Sequence, residues 1–267
     1  DLHPRVRRQR QMCIRDSRCM ADAAEKFGNG NLLYTTRLSV EIQGIPYDKI
    51  DEFQKFIAKE GLVTGGTGAK VRPVVSCKGT TCQYGLLDSY ALSEEIYKRF
   101  YEGYREVALP HKFKIAVGGC PNNCVKPNLN DVGIIGQRIP EVHTDVCKGC
   151  KKCAIEAACP NKVAKVVDGK IEIDKDQCRH CGRCIGKCPF HTIEDGTYGY
   201  KIYIGGRWGK KVSKGKSLSK IFTSKEEALD VIEKAILFFK DNGIKGERFA
   251  ETIERIGFEN VEKELLH

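Results

Sequence analysis

Fourteen cysteines stand in this chain of 267 residues, and twelve of them fall in tight groups. Residues 147 to 160 read CKGCKKCAIEAACP, and residues 178 to 189 read CRHCGRCIGKCP, a repeat at an offset of 31. Each run is C-x2-C-x2-C, followed by a more distant Cys-Pro. Upstream, SCKGTTCQYG supplies Cys77 and Cys82, and VGGCPNNCVKP supplies Cys120 and Cys124. A secreted disulfide scaffold is normally shorter and cysteine-dense throughout. Tight groups among Gly, Pro and Asn read instead as loops that wrap a metal centre in a reducing compartment. The chain is therefore expected to be cytoplasmic.

In the two-cluster bacterial ferredoxin pattern, the fourth Cys of each run ligates the other cluster. One [4Fe–4S] cluster would then use Cys147, Cys150, Cys153 and Cys188, and the other Cys178, Cys181, Cys184 and Cys159. The first run has five residues before Cys159 in place of three, which lengthens one loop. Zinc ribbons share the C-x2-C spacing, but three close cysteines plus Cys-Pro, twice over, favour iron and sulfur. Between the runs, KVVDGKIEID reads as a hairpin with an Asp168-Gly169 turn. Cys77, Cys82, Cys120 and Cys124 are enough for a third cluster. Isolated core thiols or a disulfide are the competing readings.

The upstream set is similar to that of the siroheme sulfite and nitrite reductase family, whose pattern is C-x5-C, a gap, then C-x3-C. The resemblance implies siroheme, with Cys124 bridging the third cluster to the siroheme iron and Cys77, Cys82 and Cys120 holding the other irons. One residue fewer in the first pair implies a tightened loop. LYTTRLSVEI (33 to 42) resembles the family's TTR strand, GGTGAKVRPVVSC (65 to 77) its second arginine segment, and LPHKFKIAV (109 to 117) its LPRKFK stretch. His111 stands where that stretch has Arg. Carried over, Arg37, Arg72, Lys112 and Lys114 are the anion-binding catalytic residues. Thr35, Thr36, Thr67, His111, Asn122 and Asn123 join Cys124 as cofactor contacts. Strand alternation agrees: Lys112 and Lys114 share one face, with Phe113, Ile115 and Val117 on the other. It likewise separates Arg37 from Leu38, Val40 and Ile42. Arg suits carboxylates and oxyanions through its planar fork.

These residues need elements to place them. The resemblance implies an α+β fold: a ferredoxin-like half-domain (19–66), a siroheme and 4Fe–4S domain in two parts (67–142 and 196–267), and an inserted ferredoxin module (143–195). A strand is expected near 32 to 43 and a helix near 48 to 60, with Ile50, Phe53 and Ile57 on one face. Further on, a helix is expected near 89 to 103, and strands near 112 to 118 and 131 to 136. A helix near 225 to 241 follows, with Ser224 and Glu227 as a capping box and Leu229, Ile232, Ile236 and Phe239 as its apolar stripe. Residues 207 to 220 hold six Lys or Arg and read as a surface loop or a contact for carboxylates or an acidic redox partner. Residues 1–18 lack periodicity. They are expected to be non-native read-through or disordered, with a transit peptide as the other option and the native N-terminus missing.

Composition narrows the function classes. No apolar run approaches the ~20 residues of a membrane span. Net charge is +10; without residues 1–18, which carry six Arg and two Asp, it is +6. That excess is too modest and too scattered for a nucleic-acid stripe. No G-x-G-x-x-G opens a helix, so NAD(P)H oxidation would belong to a partner. The expected activity is sulfite reduction, with electrons from a donor protein or reductase subunits passing through three [4Fe–4S] clusters to siroheme. Nitrite reduction, an electron-transfer subunit without tetrapyrrole, and a siroheme maturation protein are the alternatives. The resemblance is to the small, single-repeat members, such as the catalytic C subunit of anaerobic sulfite reductase. In two-repeat members the anion-binding residues and the cluster come from different repeats. A homo- or hetero-oligomer with a shared site is thus expected.

Overall fold

The computed structural model describes residues 14–37 and 39–267. An N-terminal unit packs helix α1 (Ile14–Phe27) and helix α2 (Ile50–Ala58) on a hairpin of β1 (Leu32–Tyr34) and β2 (Val40–Ile42). Its small core is Cys19, Met20, Ala23, Phe27, Phe53 and Ile57. Two sequence expectations change here. Residues 14–18 belong to α1, whose 3.6-residue periodicity buries Asp16, Cys19, Met20 and Ala23, so the structured chain begins before residue 19. Residues 1–13 and Leu38 lie outside the described residues. The strand expected over 32 to 43 is broken at its middle. Thr35 Oγ1 accepts from the amides of Arg37 (3.3 Å) and Ser39 (3.2 Å) and turns the chain back.

The main sheet has the order β3 (Val75–Ser76), β4 (Ile115–Gly118), β5 (Val132–Pro140), β8 (Gly196–Ile204), β9 (Lys216–Phe222). The first three strands are parallel; β5, β8 and β9 are antiparallel. Helices α3 (Ser89–Ile96), α5 (Lys225–Asn242), α6 (Phe249–Ile256) and α7 (Phe258–Leu266) contribute to its core. A π-type turn, Tyr97–Glu102, extends α3. Phe113, Phe239 and Phe249 are fully buried with ring centroids 5.3 to 5.7 Å apart. Burying each side chain is worth about 1.5–3 kcal/mol. Helix α5 begins as expected at Ser224, whose Oγ accepts from the Glu227 amide (3.4 Å). The Glu227 carboxylate pairs with Lys220 on β9. The basic segment 207 to 220 is not all loop: from Lys216 it is strand β9, because Leu218 and Phe222 are buried in the core.

The chain leaves the sheet at Pro140 and re-enters at Gly196, residues paired across β5 and β8. Adjacent exit and entry points let a separate unit be inserted without disturbing the sheet. That unit holds helix α4 (Ala154–Ala158) and a hairpin of β6 (Ala164–Val167) and β7 (Lys170–Ile173). Asp168 (φ 48°) and Gly169 (φ 74°) make its tight turn, both in the left-handed region that a two-residue hairpin loop favours. Its own core is Ile155, Ala164, Ile171 and Ile193, with cysteines packed around it.

Candidate functional site

Arg37 leaves the N-terminal hairpin and reaches the main sheet. Its guanidinium donates to Pro73 O (2.6 Å), Asn130 Oδ1 (3.0 Å) and Ile115 O (3.4 Å). Arg72 lies just ahead of β3; its amide donates to Phe113 O (2.7 Å) and its side chain to Gly66 O. Lys112 and Lys114 flank the buried Phe113 at the start of β4, on the opposite face, as strand alternation dictates. These four cations act on one another through space. Burial, then Arg37 and Arg248, lowers Lys114 to about 8. Burial, then Arg248 and Arg72, lowers Lys112. Arg37 falls to about 10, chiefly by burial.

Two residues at the centre of this cluster carry no signal in the sequence reading. Arg248, at the N-terminus of α6, is 5% exposed, and Asp131, ahead of β5, is 0% exposed. Arg248 Nη2 donates to both Asp131 oxygens, at 3.0 and 2.8 Å. The Lys114 amide donates to Asp131 Oδ2 (2.8 Å). Burial pushes the Asp131 carboxyl upward, against the pull of Arg248 and the Lys114 amide. Arg248 perturbs Arg37, Arg72, Lys112, Lys114 and His111 alike. No motif marks it; the one local hint is Glu251 three residues on, which accepts from the Arg248 amide at the start of an amphipathic helix.

The predicted cofactor contacts are placed less uniformly. Thr35 serves the β1–β2 turn, and Thr36 beside it is exposed. Thr67 is exposed in the loop before Arg72. His111 Nδ1 accepts from the Lys112 amide (2.8 Å), and burial followed by Arg248 lowers its pKa. Asn122 is exposed; its backbone amide bonds the Cys120 sulfur. Asn123 adopts φ 57° and donates to Asn128 Oδ1 (2.9 Å).

Cys77 and Cys120 sit at the far ends of β3 and β4 from Arg72 and Lys114, with four residues of β4 between. Gly119 N donates to Cys77 Sγ (2.9 Å). A Cβ at Gly79 or Gly119 would come within 3.2 Å of that sulfur, so both positions need glycine for the close approach. Burial raises the Cys120 thiol, and Cys77, Cys124 and Cys82 add to it through space. Cys124 is the exposed member.

In the inserted unit, Cys159, Cys178, Cys181 and Cys184 line one small cleft. Burial lifts Cys184 to about 11, with Cys181, Cys178 and Cys159 adding to it. At Cys159 burial acts the same way, but amides from Asn161 to Ala164 aimed at the sulfur outweigh it and lower the thiol. Cys147, Cys153 and Cys188, like Cys159 and Cys184, pack against the unit's core. Among the described residues, no three His, Cys, Asp or Glu are drawn closely enough to hold a single metal ion. A four-iron cube spaces its thiolates more widely than one ion does.

The donor sets fit the groups that the resemblance implies. The Nε atoms of Arg37, Arg72 and Arg248 and Asn123 Oδ1 are buried and bond nothing in the chain. Buried donors are ordinarily satisfied, and five cations around one carboxylate suit a ligand rich in carboxylate or oxyanion groups.

Comparison with known proteins agrees with this architecture. The chain belongs to the nitrite and sulfite reductase family: residues 67–267 match the nitrite and sulphite reductase 4Fe-4S domain, and residues 14–60 the nitrite/sulfite reductase ferredoxin-like half domain. It is 32% identical over 240 residues to the coenzyme F420-dependent sulfite reductase of Methanocaldococcus jannaschii, covering 89% of this chain but 37% of that protein. It is 28% identical over 288 residues to the beta subunit of the dissimilatory-type sulfite reductase of Nitratidesulfovibrio vulgaris, covering 96% of this chain and 74% of that protein. The crystal structure of dissimilatory sulfite reductase I shares the fold, with a TM-score of 0.76 at 21% identity over 97% of this chain and 67% of that one. Among the described residues, no helix is long and apolar enough to cross a membrane.

Proposed function

We propose that this chain is the siroheme-carrying, catalytic part of a cytoplasmic sulfite reductase. It takes sulfite to sulfide with electrons delivered through three [4Fe–4S] clusters, one beside siroheme and two in the inserted unit. The observation that carries this reading is the half-buried basic cluster with three buried, unpartnered guanidinium Nε atoms, in a chain whose sequence gathers twelve cysteines in tight groups. Siroheme, when bound, supplies the iron at which an oxyanion is reduced, and the clusters supply its electrons.

The chain's own residues do the rest. Arg37, Arg72, Lys112 and Lys114 bind the anion and neutralise its oxygens by preorganised charge. Lys114, with a pKa of about 8, is half-buried and holds a proton it can release near neutral pH to an oxygen leaving as water. Asp131 and Arg248 fix the cluster from below. Nitrite fits the same cations, and relative turnover of the two anions decides between them. Arg72 and Lys114 precede the strands that Cys77 and Cys120 follow, and, by analogy with two-repeat members of the family, the site is proposed to be completed by a second copy or a related subunit.

The test is anaerobic expression in a siroheme-producing host, a visible spectrum, then acid–acetone extraction. Extractable siroheme with iron–sulfur absorption supports the reading. Iron–sulfur absorption alone makes the chain an electron-transfer subunit.

A further inference from the structure

Strand β5 touches the surroundings of two cysteine sites at residues two apart. At Gly136, a Cβ would meet Gly119 O, beside Cys120. Two residues on, Arg138 forms a bridge with Cys181 and its amide donates to His180 O (2.7 Å). Gly182, at φ 68°, lies so close that a Cβ would be 3.1 Å from the Arg138 side chain. Residues two apart on a strand share a face and are about 7 Å apart. Outside the sheet a second contact spans the same gap: the Arg183 guanidinium stands 4.8 Å from the centroid of the Tyr84 ring. Arg183 lies between Cys181 and Cys184, and Tyr84 two residues beyond Cys82. The first cysteine run points elsewhere. Gly149 packs on Gly169 at the hairpin tip, and Lys170 Nζ donates to Cys147 O (3.0 Å). That tip is exposed.

We infer that the inserted unit is docked in one orientation, by Arg138 on β5 and the Arg183–Tyr84 contact, with its Cys159, Cys178, Cys181, Cys184 site inward. That site is the inner relay to the Cys77, Cys82, Cys120, Cys124 site. The Cys147, Cys150, Cys153, Cys188 site is the outer one, where electrons enter. Arg138, Arg183 and Tyr84 are positioning residues. This rests on the three-cluster reading above. Each transfer moves one electron from a reduced cluster to the next oxidised one, the first supplied by a one-electron donor protein.

The test uses the fully reconstituted protein and the magnetic coupling between reduced clusters, which weakens steeply with distance. Cys150→Ala and Cys181→Ala each remove one cluster. With Cys150→Ala, the two remaining clusters stay adjacent and their resonances stay coupled. With Cys181→Ala, they are separated and the coupling disappears. The reverse pattern, or equal coupling in both, overturns the inference. Arg183→Gln and Tyr84→Leu give a second readout: amide exchange in residues 82–86 and 181–185 rises about two- to fivefold, as expected for losing one exposed cation–π contact, while iron content stays at the parent level. Unchanged exchange in both variants removes the contact from the docking. Wild-type protein with iron for two clusters only would overturn the three-cluster reading itself, and iron for three with the wrong coupling pattern would overturn the order alone.

Discussion

At the scale of single residues, the half-buried cations act on one another's charge. Lys114 sits where burial and two arginines disfavour its charged form, so its charge is lost as pH rises through about 8. Anion affinity should fall over that window, measured with nitrite, which stays a monoanion there. Lys114→Arg should hold affinity flat to higher pH. Stability has the opposite sign. An unfolded lysine keeps its proton to about 10.4, so between about 8 and 10 the unfolded state binds more protons and the fold gains stability with pH. Urea midpoints across that range, compared with Lys114→Met, check this. Lys112→Met or Lys114→Met should lower turnover on the order of 10²-fold, the usual effect of removing one preorganised donor, with siroheme content unchanged. Arg248→Met is a different case. It strands Asp131 in the core and should cost about 3–5 kcal/mol; the Asp131→Asn, Arg248→Met pair should recover much of that in chemical denaturation.

Elements decide where those residues stand. Phe113 lies between Lys112 and Lys114 and packs on Phe239 of α5 and Phe249 of α6. Its burial turns the two lysines to the other face. Phe113→Ala should lose about 3–5 kcal/mol, seen as an earlier denaturation midpoint, and should weaken anion binding as well because the lysines lose their register. The alternation in KFKIAV is legible in sequence because a strand's period is local. The TTR stretch reads in sequence as part of one strand, and it is not. Its apolar alternation continues through residues 33 to 42, whereas the turn comes from a threonine side chain capping two amides. Likewise, β9 hides among lysines because only Leu218 and Phe222 of its residues enter the core.

For the whole molecule, the separation of basic cluster and cysteines along β3 and β4 has a direct consequence. If two copies complete each other's sites, a chain with Lys114→Met and a chain with Cys124→Ser are each inactive alone. A mixed dimer of them has one intact site and one doubly damaged site. Random pairing in equal amounts then gives about a quarter of wild-type turnover, from two-fold symmetry. No recovery on mixing, with mixed dimers shown to form, would place both halves of the site in one chain.

Sequence alone determined the tight cysteine groups, the hairpin between the two runs, the long helix α5 and the alternation of lysines with core residues. All of these are written in short-range spacing, which a thiolate cluster, a tight turn or a regular element reads directly. Only the tertiary structure decided which residue pairs with Asp131 and that the inserted unit leaves and rejoins the sheet at paired strand ends. Those facts join residues as far apart as Asp131 and Arg248. They depend on which strand lies beside which, and no local pattern in the chain encodes that neighbour.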